Sequence, residues 1–137
     1  MLNPIRFKPF FLLFVAQWCH WCHVFNDKTL ADEKVYNYLN KNFVNIFIDA
    51  DINSVAYQKY KAKGVPFTVF LNPDTSEYYK YSGTLYAEPF LEVIQDVIQN
   101  VKQGKTVDGE KIFTFEYNPP TKFNKYGWEN LKNGFGR

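Results

Sequence analysis

The amino-acid sequence predicts one α/β domain built on a mixed sheet, and three observations carry that expectation. Apolar, β-branched and aromatic runs of strand length alternate with segments of helical period. The spacers between the first three runs are long enough for helical crossovers, whereas the spacer after residue 71 is a tight turn. A chain of 137 residues holds one core rather than two.

Residues 9–16 (PFFLLFVA) are continuously apolar, the pattern of a strand buried on both faces. Arg6 and Lys8 before this run give it the outline of a short signal peptide, but no small-residue cleavage site follows. Residues 24–41 have helical character in two pieces, the second opened by Asp32 as N-cap, with Val35, Leu39 and Phe43 at helical spacing. Residues 44–49 (VNIFID) alternate and form a second strand. Asn53 or Ser54 then opens a short helix through Tyr57 and Tyr60, with Gly64 expected to close it. Val65 and Pro66 lead into a third strand over 67–71, where a leading proline is tolerated because no ladder N–H is lost inside the strand. Asn72, Pro73 and Asp74 signal a turn, and residues 77–82 return from it as an antiparallel fourth strand. Over 87–102, Phe90, Leu91, Ile94, Val97, Ile98 and Val101 recur at three and four, the strongest amphipathic helix in the chain, ended by Gly104. The two helical crossovers predict parallel pairing among the first three strands. Residues 105–137 hold Asn118, Pro119, Pro120 and scattered aromatics without a period. They are expected to form an extension packed on the 1–104 domain, with one strand at 111–116.

Composition removes several function classes. Sixteen Lys and Arg against fourteen Asp and Glu leave a net charge of +2 with no basic block, so no electrostatic footprint for nucleic acid is present. No apolar run approaches the roughly 18 residues of a membrane span. Aromatic residues make up 20% of the chain, so large rings supply much of the buried area. There are only 2 cysteines. Because these, Cys19 and Cys22, lie in one short string, they cannot staple a small fold and must serve a local purpose.

That string is Trp18-Cys19-His20-Trp21-Cys22-His23, at the end of a buried strand and the start of a helix. A thiol at a helix N-terminus faces unpaired backbone N–H groups and the positive end of the helix dipole, which stabilise its thiolate. Three residues on, Cys22 lies on the same helical face. Cys19, expected to be the exposed sulfur, can attack a substrate disulfide, and the sheltered Cys22 can resolve the mixed disulfide.

With these residues in place, the chain resembles the thioredoxin superfamily over roughly residues 8–104. The similarity rests on the buried strand running into Trp18-Cys19-x-x-Cys22, the Ile48-Asp49 strand end, Gly64-Val65-Pro66 before the third strand, and Tyr81-Ser82-Gly83 before the last helix. The Cys-His-Trp-Cys-His string is most similar to thioredoxin-like proteins carrying a CHWCH motif, and to disulfide-reductase domains of bacterial thiol-transfer proteins. The resemblance implies a three-layer fold with a mixed sheet, here with a shortened N-terminus and a C-terminal aromatic extension. It implies a thiol-disulfide oxidoreductase, foremost a protein disulfide reductase, with Cys19 and Cys22 catalytic and without a cofactor or metal. It also implies a cis Val65–Pro66 bond beside the cysteines, with the Val65 backbone pairing to a substrate strand. Trp18 and Trp21 would form a hydrophobic collar where substrate lands, and His20 and His23 would tune the thiolate. Expected partners are proteins with disulfides or thiols, and a redox partner that reduces or oxidises the pair. The compartment stays open between the cytoplasm and an extracytoplasmic space such as the periplasm, reached after leader removal.

Beside the shortened N-terminus, a second departure from the family pattern stands out. Leu13 occupies the position of the family's buried Asp, and Asn45 or Phe47 that of its accompanying Lys, so proton handling at Cys22 must differ, through water or His23. The motif admits three other readings. Cys19-x-x-Cys22-His23 also matches a haem-attachment string, but Met1 is the one methionine and His20 lies inside the motif, so a second axial ligand is missing. A structural zinc needs four ligands, which these residues supply only if two chains share the metal. A binding or chaperone-like module with incidental thiols is the third.

Overall fold

A computed structural model describes residues 8–101. Strand β1 (Phe10–Val15) runs into helix α1 (His20–Val24), which widens without a break into a π-helical segment, Phe25–Leu30. Helix α2 (Glu33–Asn42), strand β2 (Val44–Asp49), helix α3 (Ser54–Lys59), strands β3 (Phe67–Leu71) and β4 (Glu77–Ser82) and helix α4 (Ala87–Asn100) follow. The sheet order is β2-β1-β3-β4, with β1 parallel to β2 and the remaining pairs antiparallel.

Strand β1 lies in the interior of the sheet because its run is apolar on both faces, and Phe11 to Val15 are all buried. Alternate residues feed two cores. Phe11, Leu13 and Val15 face α1, the π-helical segment, α2 and α4, while Leu12 and Phe14 face α3. On the first face aromatic rings dominate: Phe90 of α4 lies 5.7 Å from Phe11 and meets Phe25 edge-on at 5.1 Å. On the second, Phe14 packs against Tyr57, Tyr60 and Phe67. Helices on both faces of one sheet make three layers.

The structure corrects two local expectations. Strand β3 is antiparallel to β1, not parallel. Helix α3 has only six residues, about 9 Å of rise, and cannot carry the chain back along strands about 20 Å long. The third strand therefore starts from the end of the sheet where β2 finished. Gly64 does not close α3. The helix ends at Tyr60, Lys61 takes a left-handed φ of 55°, and Gly64 at φ 80° turns the chain toward Pro66 instead. The helical stretch after the cysteines breaks between Leu30 and Glu33, where Asp32 accepts the Val35 N–H at 3.1 Å as the expected N-cap. Helix α4 has the expected face, with Phe90, Ile94 and Val97 buried. The 105–137 extension, its strand at 111–116 and Gly104 lie outside the described residues.

Candidate functional site

The site forms where β1 stops and α1 begins. The Cys19 N–H donates to the Ala16 carbonyl at 3.1 Å, which turns the chain out of the strand. Cys19 is then the N-cap of α1 in extended conformation, and its Sγ accepts the Cys22 N–H at 3.0 Å. A sulfur in the N-cap position replaces the oxygen of the usual Ser or Asp and meets one of the helix's unpaired donors. Cys19 and Cys22 are joined as a disulfide, with their Cα atoms 5.2 Å apart.

Cys22 is sheltered as expected, at 1% exposure, but Cys19 is buried too, at 3%. The cause is the loop before β3, which roofs the pair. The Val65–Pro66 bond is cis, and the Val65 carbonyl oxygen lies 3.5 Å from Cys19 Sγ. That loop is tied down on both sides. The Gly83 N–H donates to the Pro66 carbonyl, the Ser82 hydroxyl to the Lys63 carbonyl, and the Gly64 N–H to the Tyr57 hydroxyl.

The aromatic residues of the motif stand around this roofed pair. Trp18 is 71% and Trp21 53% exposed, and neither enters the core. The Trp18 indole N–H donates to the Asp51 carboxylate at 2.9 Å. His20 is exposed and packs edge-on against Trp21. The His23 ring nitrogen Nε2 lies 2.7 Å from the Gln17 carbonyl, to which its N–H donates, so this ring braces the strand-to-helix junction. Leu13 is buried in the same core as Cys22, so an aliphatic side chain stands where the family pattern has a carboxylate. Asn45 is fully buried and gives its amide to the Leu39 and Phe43 carbonyls, a structural task at the end of α2.

Four residues that sequence reasoning did not single out help to hold the site. The Thr29 hydroxyl donates to the Leu85 carbonyl at 2.6 Å, and the Thr84 hydroxyl to the Trp21 carbonyl at 3.1 Å, lacing α1 and the π-helical segment to the loop before α4. Gln17 and Asp51 hold His23 and Trp18. Only the Asp49-Ala50-Asp51 doublet past a strand end offered a signal for these four, because the hydroxyl contacts span more than fifty residues of sequence. Further from the site, burial pushes the Tyr81 phenol up from its ordinary value. Among the described residues no helix is long and apolar enough to cross a membrane.

Comparison with known proteins agrees with this geometry. A family model named Thioredox_DsbH, described as a protein of unknown function, DUF255, matches residues 5–117. The chain is 28% identical over 114 residues to spermatogenesis-associated protein 20 of Rattus norvegicus, covering 72% of this chain but only 14% of that protein. The chain thus spans a small part of the length of that curated relative. Among solved structures, a thioredoxin from Thermus thermophilus superposes with a TM-score of 0.60 at 24% identity, over 66% of this chain and 73% of that one. A structure titled DsbH oxidoreductase also gives 0.60, at 17% identity, over 68% and 74%. These likenesses show a thioredoxin-like α/β fold.

Proposed function

The chain belongs to the Thioredox_DsbH family of thioredoxin-like proteins, and from that premise we propose that it is a thiol-disulfide oxidoreductase that works as a protein disulfide reductase. The observation that carries the proposal is the Cys19–Cys22 disulfide at the N-cap of α1, with the Cys22 N–H directed at Cys19 Sγ. The same N–H stabilises a Cys19 thiolate in the reduced protein.

In the proposed cycle the Cys19 thiolate attacks one sulfur of a substrate disulfide. That S–S bond breaks, a mixed disulfide forms, and the departing substrate thiolate takes a proton. Cys22 loses its proton and attacks Cys19 Sγ, releasing the second substrate thiol and leaving the Cys19–Cys22 disulfide. Two electrons pass from the protein to the substrate, and a dithiol donor restores the reduced pair. Val65 would pair through its backbone with the substrate strand, Pro66 would shape that groove, and Trp18 and Trp21 would flank it. His20, exposed beside Cys19, would tune the thiolate when protonated. His23 would act through the junction that it braces.

Insulin reduction with dithiothreitol as donor tests the proposal. The wild-type chain should accelerate precipitation of the insulin B chain, and Cys19→Ser should bring the rate to background. Retained activity in Cys19→Ser would overturn the assignment, and a binding module with incidental thiols would show no acceleration at all.

A further inference from the structure

Gln17 and Trp18, the two residues before Cys19, line an open crevice of about 370 Å³ together with Asp49, Asp51 and Ile52. None of these five residues is basic. Asp49 is 7% exposed. Its Oδ1 accepts the Asp51 N–H at 2.8 Å, while its Oδ2 is buried with no hydrogen-bond partner. A desolvated carboxylate without a full set of donors is costly, and a cation held in the crevice stabilises its charge through space without touching the buried oxygen. The second carboxylate, Asp51, is exposed and held in place by the Trp18 indole. The walls are apolar, since Trp18 is 71% and Ile52 67% exposed, and Val55 beyond them is 78% exposed.

We infer that this crevice receives a lysine or arginine side chain of the substrate protein, one lying next in sequence to the cysteine that Cys19 engages. The inference rests on the oxidoreductase reading and adds a substrate preference to it. A long basic side chain lays its methylenes along Trp18 and Ile52, meets the exposed Asp51 carboxylate and the indole face, and brings its charge near the buried Asp49. A hard metal ion is a poorer occupant because it takes six or more oxygen ligands, and among the described residues no group of three or more His, Cys, Asp or Glu side chains could hold one. Trp18, one wall of the crevice, immediately precedes Cys19 in the chain, which is why the inferred basic residue is placed next to the substrate cysteine.

Binding can be read without turnover. The oxidised 137-residue chain is titrated with two capped tetrapeptides, Ala-Ser-Lys-Ala and Ala-Ser-Gln-Ala, while the indole N–H signal of Trp18, assigned by its loss in Trp18→Phe, is followed by NMR. The lysine peptide should bind about fivefold more tightly than the glutamine peptide at low salt, with the preference shrinking as salt is raised. Asp49→Asn should bring the ratio to about one. Should that variant fail to fold, Asp51→Asn at the exposed position serves in its place. Glu92→Gln on the exposed face of α4 should leave the preference intact. Equal binding of the two peptides, or a lysine preference that survives in the Asp49 and Asp51 variants, would overturn the inference. Loss of insulin reduction with the lysine preference intact would instead overturn the oxidoreductase reading and leave the crevice's specificity standing.

Discussion

Replacing Thr29 by Val isolates one of the two hydroxyl contacts that lace α1 and the π-helical segment to the loop before α4. Valine keeps the side-chain shape, so the packing around this fully buried position is retained and only the donor is lost. The 2.6 Å bond to the Leu85 carbonyl disappears, leaving an acceptor in a part-buried setting. Such a loss costs about 1–3 kcal/mol, well above the roughly 1 kcal/mol of an average hydrogen bond that water can replace. The companion Thr84 hydroxyl is exposed, and water can take its place at the Trp21 carbonyl, so Thr84→Val should cost no more than about 0.5 kcal/mol. Urea unfolding followed by circular dichroism separates the two. With a slope of about 1 kcal/mol per M for a domain of this size, the Thr29 variant should lower the midpoint by about 1–3 M and the Thr84 variant by about 0.5 M or less. Equal midpoints for the two variants, or a Thr29 variant within error of wild type, would refute the claim that burial rather than bond geometry sets the worth of these contacts.

Other consequences follow from single residues. Phe90→Ala removes the ring that joins α4 to Phe11 and Phe25, and should cost about 3–5 kcal/mol in the same urea assay. Gly83 has φ 103°, and nothing lies within 4 Å of a Cβ built there. Gly83→Ala should therefore cost about 1–3 kcal/mol from backbone strain alone, seen as a lower melting temperature, and Gly83→Val should cost no less. Tyr81 has its pKa raised by burial, so the folded state holds the phenolic proton more tightly than the unfolded chain does. Its contribution to stability is complete below the ordinary phenol value of 10.0 and is lost as pH climbs above it. Denaturation at stepped pH should show a steeper alkaline fall in wild type than in Tyr81→Phe.

The parts of the fold visible in the sequence are those fixed by local pattern. The apolar run of β1, the proline before β3, the Asn72-Pro73-Asp74 turn and the three-and-four spacing of α4 each name a neighbour of known chemistry, and the elements fall where those signals place them. The direction of β3 is not local. It depends on α3 being too short to recross the sheet, which a helical pattern ending at Tyr60 conceals when Gly64 is taken as the stop. Burial of Cys19 was likewise invisible, because the Val65 carbonyl that covers its sulfur arrives from 46 residues away. The cysteines, the tryptophans and Pro66 were legible as a group from the motif and its resemblance. The residues that hold them were not, since a threonine donating to a distant carbonyl leaves no periodic trace. The Asp49 and Asp51 crevice lies between these cases: the doublet is plain in the sequence, but only the fold turns one carboxylate inward and gives the other to Trp18.

Thiol exchange through Cys19 is tested most directly by trapping. The reduced Cys22→Ala variant is mixed with a disulfide-bonded protein such as insulin, quenched in acid, alkylated and analysed by intact mass. The account predicts a covalent adduct joined through Cys19, absent when Cys19→Ser is added, while the wild-type chain ends with both cysteines oxidised to each other and the substrate's disulfide reduced. A Cys22→Ala variant recovered only as the alkylated free thiol, together with a wild-type chain whose two cysteines both remain alkylatable, would contradict it.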